Sequence, residues 1–239
     1  MKINKGNIFT TKCQTIVNTV NCVGIMGAGI AYEFRLRHPK MYEKYKMLCI
    51  NNQIDIGILW MYRLNNSELQ SETKYSQILN FPTKMHWKYP TKIEYLEKGL
   101  QKFVDSYRDK CINSIAFPLL GASHGGLTAS QSHEIMLKYL SKCNDIDIEI
   151  WYFDENTKDN LYDSFKASFL HYDDNKIATE SGLRIDFVRK VRNALNNSNA
   201  NSLMGLRKTK GIGEVTLEKA YRYVMDRGNI DKQLRLPLE

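Results

Sequence analysis

Ile16-Val17-Asn18-Thr19-Val20-Asn21-Cys22-Val23-Gly24-Ile25-Met26-Gly27-Ala28-Gly29-Ile30-Ala31 passes from a β-branched run through a glycine-rich loop into a helical pattern. Glycines at such a junction let the backbone come close to a phosphate. The helix N-terminus that follows supplies N–H donors and the positive end of a dipole. The spacing is not Gly-x-Gly-x-x-Gly, so the dinucleotide fingerprint is not met, and no Gly-Lys-Ser/Thr follows to make a Walker loop. A second loop, Pro118-Leu119-Leu120-Gly121-Ala122-Ser123-His124-Gly125-Gly126-Leu127, also follows a strand-like run and precedes a helical one. Two such loops in one domain predict a diphosphate gripped from two sides; the alternative is a pair of tight turns with no ligand.

Outward from these loops, residues 1–170 alternate strands with helices. Ile3–Ile8, Thr15–Val20, Ile54–Leu64, Gln77–Phe81, Ser114–Leu119 and Ile146–Phe153 are short and rich in β-branched and aromatic residues, and read as strands. In 92–110 the apolar residues Ile93, Leu96, Leu100, Phe103, Val104 and Tyr107 follow mainly three- and four-residue steps, which predicts a helix. In 128–143, Thr128 with Gln131 three residues on predicts a capping box, with Ile135, Met136, Tyr139 and Leu140 as the buried stripe. The stretch 28–48 is helical but interrupted before Pro39, because proline restricts the residue that precedes it. Strands alternating with helices predict a layered α/β domain.

Asp173-Asp174-Asn175-Lys176 is a polar stretch read as a linker, after which the strand-like runs stop. Leu183, Phe187, Val188, Val191 and Leu195 share one face of a helix over 183–195, Asn196-Asn197-Ser198-Asn199 breaks it, and a final helix runs from about 214 to 226. The expected division is therefore a domain over 1–172 and an all-helical segment over 176–239.

Among the 239 residues, 34 Lys and Arg stand against 26 Asp and Glu, a formal charge of +8. The last 64 residues hold 13 basic and 7 acidic groups, a net of +6 that leaves only +2 to residues 1–175. Blocky positive charge suits a polyanion, since counterion release drives such binding; the alternative is a solvated basic surface. With 43% hydrophobic residues, 14 Gly and 5 Pro, disordered, collagen-like and mucin-like classes are excluded. No run approaches the roughly 18 apolar residues of a membrane span, and Met1-Lys2-Ile3-Asn4-Lys5 opens no signal-peptide core. Five scattered cysteines without a Cys-x-x-Cys pair fit reduced thiols in a cytoplasm, and no His/Cys/Asp cluster has metal-ligand spacing.

The string Ile16 to Asn21 followed by Gly24-Ile25-Met26-Gly27-Ala28-Gly29-Ile30-Ala31 resembles the macrodomain signature. Gly6-Asn7-Ile8 is similar to that family's adenine-end motif, with Asn where many members have Asp. Asn80-Phe81-Pro82-Thr83-Lys84-Met85-His86-Trp87 resembles the lysine segment of the DarG-type branch, the DNA ADP-ribosyl glycohydrolases, and of related lysine-dependent terminal ADP-ribose glycohydrolases. The resemblance covers roughly residues 1–170. It implies a three-layer α/β/α macrodomain with a mixed central sheet, followed here by the small helical segment.

Carried over residue by residue, the resemblance makes Asn21 the group that orients the distal ribose. Gly24, Ile25, Met26, Gly27, Ala28, Gly29 and Ile30 become the loop around that ribose and the diphosphate. Gly121, Ala122, Ser123, His124, Gly125, Gly126 and Leu127 become the second phosphate loop. Asn7, Ile8, Thr19, Pro82, Thr83 and Phe153 complete the implied ligand set, Phe153 at the adenine. The family usually has a Gly-Cys-Gly-type sequence in the second loop, where this chain has Gly121-Ala122-Ser123-His124. Lysine-dependent relatives use an acidic residue there; the comparable place is Gly125, which leaves the acid/base partner open, with His124 the alternative by residue type.

The resemblance makes Lys84 the nucleophile. Ring opening at the distal ribose exposes an aldehyde-like carbon, which a neutral amine attacks to form a Schiff base. An unperturbed lysine, pKa roughly 10.4, is almost fully protonated at neutral pH, so burial or nearby cations must lower that value. The alternative is a surface lysine on a loop. Trp87 and Tyr89, flanked by Lys84, Lys88 and Lys92, form either a stacking platform for a nucleotide or an aromatic cap on the core.

Leu203-Met204-Gly205-Leu206, then Lys210-Gly211-Ile212-Gly213 and a following helix, resemble a helix-hairpin-helix motif that meets DNA phosphates without reading sequence. Arg207, Lys208, Lys210, Gly211 and Gly213 would make those contacts; the alternative is a helical accessory for a partner protein. The whole resemblance implies a hydrolase that removes ADP-ribose from thymidine bases of single-stranded DNA and opposes a DNA ADP-ribosyltransferase toxin; a monomer in the cytoplasm is expected beside it. Its ligand is ADP-ribose, with no cofactor, no metal and no membrane partner. Alternatives are hydrolysis of ADP-ribose from protein or from metabolites, and a module that only binds ADP-ribose.

Overall fold

The computed structural model describes residues 1–65, 74–154, 157, 159–197, 202–207 and 209–234. The chain forms two compact units, Met1–Asp154 and Glu155–Glu239.

In the first unit the described residues form a six-stranded sheet of order β1-β6-β5-β2-β4-β3. The strands are β1 (Lys2–Gly6), β2 (Thr15–Asn21), β3 (Trp60–Arg63), β4 (Gln77–Lys84), β5 (Ser114–Pro118) and β6 (Asp147–Phe153). Five are parallel, and β3 runs antiparallel beside β4 at one edge. The alternation of side chains along β2 and β4 sorts the core into two layers. Ile16, Val20 and Ile78 face the helices α1 (Gly29–Arg37) and α2 (Pro39–Ile50), with Phe34, Met41 and Tyr45 in that layer. Val17, Leu79 and Phe81 face α3 (Ile93–Ser106) and α4 (Ala129–Leu140), with Leu96, Leu100, Phe103 and Met136. This is the three-layer, mixed-sheet arrangement expected.

Local chemistry sets the element ends. Pro39 opens α2 directly after His38, so the helical run breaks where the proline stands. The Thr128 hydroxyl accepts from Gln131 N at 3.2 Å while the Gln131 side chain accepts from Thr128 N at 3.0 Å, the capping box of α4. Gly99 in α3 admits Phe81 so closely that a Cβ would stand 2.3 Å from the ring, so only glycine lets helix and strand approach there. The expected strand over 54–64 shrinks to Trp60–Arg63 because Asp55 to Ile58 form a turn, with Gly57 at φ +87° and Ile58 N bonded to Asp55 O at 3.0 Å. Conversely β4 runs on to Lys84: Pro82 sits in the strand where the pairing with β2 shifts register after Val20.

The second unit is helical: α5 (Asn160–His171), α6 (Asp174–Ser181), α7 (Ile185–Asn197), α8 (Leu203–Arg207) and α9 (Glu214–Leu234). Phe165, Phe169, Ile177, Val188, Val191, Leu195, Leu203, Leu206, Leu217 and Tyr221 are among its buried residues. Three expectations change here. The boundary falls at 154/155, because α5 packs with α9 inside the helical unit. The polar stretch 173–176 is no linker: the Asp173 carboxylate accepts from Lys176 N at 2.9 Å and caps α6. The last helix also runs past 226, to Leu234.

Candidate functional site

Because β1, β6, β5, β2 and β4 are parallel, their C-terminal ends lie along one edge of the sheet. That edge carries Gly6, Phe153, Pro118, Asn21 and Lys84 in spatial order. Ligands of open α/β sheets bind in the crevice outside these ends. Both glycine loops leave from this edge, the first after β2 and the second after β5.

Asn21 is the hub of the first loop. Its Oδ1 accepts from Val23 N at 3.0 Å and Ile25 N at 3.3 Å, and its Nδ2 donates to Ile25 O at 2.5 Å. Tyr45 of α2, fully buried, donates its hydroxyl to the Asn21 carbonyl at 2.5 Å. Gly24 has φ +78° and Gly29 φ +56°, conformations in which an L side chain is strained. Met26 is wholly buried in the α1/α2 layer, so its side chain faces the core and only its backbone belongs to the loop.

The second loop is built on its own backbone. Gly125 N bonds Ala122 O at 3.1 Å, Gly126 N bonds Ser123 O at 3.1 Å, and Leu127 N bonds Gly121 O at 3.1 Å. Thr91, just before α3, anchors it: Thr91 N bonds Gly125 O at 2.8 Å, and a Cβ at Gly121 would meet the Thr91 methyl at 2.8 Å. The Thr91 hydroxyl is buried without a partner. The two loops meet at His124, whose ring lies 3.1 Å from where a Cβ of Gly29 would stand.

Lys84 ends β4, in register with Asn21, and its carbonyl accepts from Cys22 N at 3.1 Å. Its Nζ donates to the His124 carbonyl, so the amine points across to the second loop. Burial holds the Lys84 pKa below the usual lysine value, because desolvation disfavours the ammonium. Burial, with Asp55 and Cys49 nearby, pushes the Cys22 thiol up to about 12, so it is no thiolate at neutral pH.

The other expected residues separate. Asn7 stands next to the Gly6–Phe153 pair and spends its Oδ1 on Phe9 N at 3.0 Å, capping the 3-10 turn Ile8–Thr10. Phe153 is 70% exposed, an unusual state for a phenylalanine at a strand end. Ile8, Pro82 and Thr83 are buried, and the Thr83 hydroxyl lies 3.5 Å from Val20 O. Thr19 is half-buried within β2. These four support the edge from behind it. Trp87 is half exposed on the turn after Lys84. In the second unit Arg207 pairs with Glu214 at 2.6 Å, Gly211 and Gly213 are exposed, and Gly211 has φ +88°. Lys210 is exposed on the same turn, while Lys208 lies outside the described residues. Among the described residues no group of three or more His, Cys, Asp or Glu side chains is placed to hold a metal ion, and no helix is long and apolar enough to cross a membrane.

Sequence reasoning missed Tyr45 and Thr91. Both lie in ordinary polar or helical stretches, and only the fold carries them beneath the loops.

The family model described as Macro domain matches residues 17–136, half of the chain. The chain is 34% identical over 160 residues to a DNA ADP-ribosyl glycohydrolase of Thermus aquaticus, covering 66% of this chain and 42% of that protein. It is similar to the macrodomain of Mycobacterium tuberculosis DarG, with a TM-score of 0.57 and 33% identity, covering 62% of this chain and 96% of that one. It is also similar to Thermosipho africanus DarTG in complex with ADP-ribose, with a TM-score of 0.59 and 30% identity, covering 66% of this chain and 43% of that one. The chain spans about two fifths of the length of the curated relatives it matches.

Proposed function

Because this chain belongs to the Macro domain family, we propose that it is a hydrolase that releases ADP-ribose from bases of single-stranded DNA, with Lys84 as the nucleophile. The observation that carries this is the position of Lys84: its backbone is in register with Asn21 at the end of the sheet, and its partly desolvated amine donates to the His124 carbonyl of the second glycine loop. A macrodomain that only bound ADP-ribose would need the loops but no such amine. The kinship with proteins named DNA ADP-ribosyl glycohydrolase supports DNA as the acceptor.

The diphosphate lies between the backbones of 24–29 and 121–127, with Phe153 against the adenine and Asn7 beside it. Asn21 holds the first loop in shape around the distal ribose. The neutral Lys84 amine attacks C1 of that ribose after ring opening. The C–N bond to the base breaks, the base nitrogen takes a proton, and the lysine is left as a Schiff base. Water adds to that carbon, the amine leaves, and ADP-ribose is released with Lys84 regenerated. His124, the only titratable residue in 118–128, is the candidate by residue type for the source of the leaving base's proton. Its backbone already receives the Lys84 amine.

The helical unit retains the DNA through the turn at Lys210, Gly211 and Gly213. Gly213 has open space where a side chain would be, so a phosphate reaches the backbone before α9. A cognate DNA ADP-ribosyltransferase is the protein partner, in keeping with the kinship to DarTG.

The test is turnover on an ADP-ribosylated single-stranded oligonucleotide against an ADP-ribosylated peptide, wild type beside Lys84→Ala. The oligonucleotide is the expected substrate. Lys84→Ala is expected to lose on the order of 10³-fold or more in rate while still binding ADP-ribose. Full turnover by Lys84→Ala removes the mechanism, and preference for the peptide removes the acceptor.

A further inference from the structure

The turn between β4 and α3 carries a feature that the reaction at Lys84 does not use. Trp87 is 50% exposed and Tyr89 66% exposed, with Met85 exposed beside them. The rings are not loose. His86 stacks on Trp87 with centroids 5.5 Å apart and planes at 27°, and it lies 5.6 Å from Tyr89. The turn is held by Tyr89 N bonded to His86 O at 3.2 Å and by Lys88 N bonded to His86 Nδ1 at 3.2 Å. Lys88 Nζ sits 5.2 Å from the Trp87 ring. Residues 85–92 contain no Asp or Glu, and the first acid beyond them, Glu94, pairs with Lys92 at 3.6 Å.

Ordered aromatic faces open to solvent, next to cations and without acids, fit one class of partner: unpaired nucleobases on a phosphate backbone. Duplex DNA keeps its base faces stacked inside and offers nothing to a ring. Lys84 and Trp87 are three residues apart, so they are separated by at most about 10 Å of chain. We infer that His86, Trp87 and Tyr89 form a ledge on which the unmodified bases next to the modified nucleotide of a single DNA strand stack. The ledge thereby presents the strand to Lys84. This rests on the reading of Lys84 as the reacting centre, and it adds how the acceptor is recognised as a strand.

Two measurements on the full chain test it. The first is equilibrium binding of a dye-labelled, unmodified thymidine-rich oligonucleotide, single-stranded or annealed, followed by fluorescence anisotropy. Single strand is expected to bind more tightly than duplex, and Trp87→Ala is expected to weaken it about tenfold, as loss of one stacking contact does. Trp87→Phe should restore most of that loss. The second is the ratio of kcat/KM for an ADP-ribosylated oligonucleotide to that for ADP-ribosylated thymidine, which has no neighbouring base. In Trp87→Ala and in Tyr89→Ala this ratio should fall about tenfold. An unaltered ratio and unaltered single-strand affinity in both variants overturn the ledge, as does tighter binding of duplex. If the wild type releases no ADP-ribose from either substrate, the reading of Lys84 fails, and the binding measurement still decides the ledge alone.

Discussion

The two glycine loops leave the same edge of the sheet and are held in shape by different means. The first is held from within the fold: the Asn21 side chain makes three bonds to 23–25, and the Tyr45 hydroxyl, from a buried helix, fixes Asn21 in turn. The second is held by its own backbone turns, by Thr91 N bonded to Gly125 O, and by the Lys84 amine on the His124 carbonyl. A side-chain hub leaves a mark in the sequence, because it must be one residue at one place. Backbone turns leave only glycines, which many loops share.

Four substitutions or titrations sharpen this contrast. Gly121→Ala should be the costliest of the substitutions. It forces φ +70° on an L residue and drives a methyl to 2.8 Å from the Thr91 side chain. About 3 kcal/mol of stability should be lost in urea unfolding, and Thr91→Ala in that background should recover part of it. If the double variant is no better than the single, contact with the Thr91 side chain is not what excludes a methyl at Gly121.

Asn21→Ala comes next. Losing the hub should cost about 2 kcal/mol and weaken ADP-ribose binding measured by calorimetry, while the second loop keeps its amide-exchange protection. Equal loss of protection in both loops would show that they are one unit.

The layer behind the first loop is also acid-sensitive. His38, at the α1/α2 junction, is buried against the Tyr75 hydroxyl at 2.8 Å, and its Nδ1 has no partner. Burial, assisted by Arg37, pushes its pKa down to about 3 from 6.5. Below 6.5 the unfolded chain therefore takes up a proton that the folded one refuses. Stability should fall as pH drops from 6.5 toward 3, by up to about 1.4 kcal/mol per pH unit from this group. His38→Gln should flatten the slope measured by denaturation between pH 6 and 4; an unchanged slope removes His38 as its source. Tyr45→Phe is the mildest. It should cost about 1 kcal/mol and loosen only the first loop, seen as faster exchange of the Val23 and Ile25 amides.

What the sequence discloses follows the same line. The β-branched runs, the Pro39 break and the Thr128 capping box are local, and each element they predicted is present. Asn21 and Lys84 could be singled out by motif, yet their register across β2 and β4 is a tertiary fact. Met26, Pro82 and Thr83 lie inside the motifs but are turned inward, because alternation along a strand or loop sends some motif residues to the core whatever the motif does. The polar run at 173–176 misled because a helix cap and a linker favour the same residues. The basic excess of the tail was also less available than it looked: Arg184, Arg189, Arg192 and Arg207 are paired with Asp186, Asp174 and Glu214 inside the unit.

The pairing of β1 with β6 has a consequence in time. Lys2 to Gly6 is the first strand of this sheet to be made, and its neighbour, Asp147 to Phe153, is the last. Until then β1 has no partner among the other strands, and Lys2 and Lys5 help keep it from adhering to another chain meanwhile. Pairings of such sequence separation form late, after more local ones. So the corner where Gly6 meets Phe153 closes after β2 and β4 have set Asn21 beside Lys84. A nascent chain would hold the Asn21–Lys84 end of the sheet before it holds the Gly6–Phe153 end.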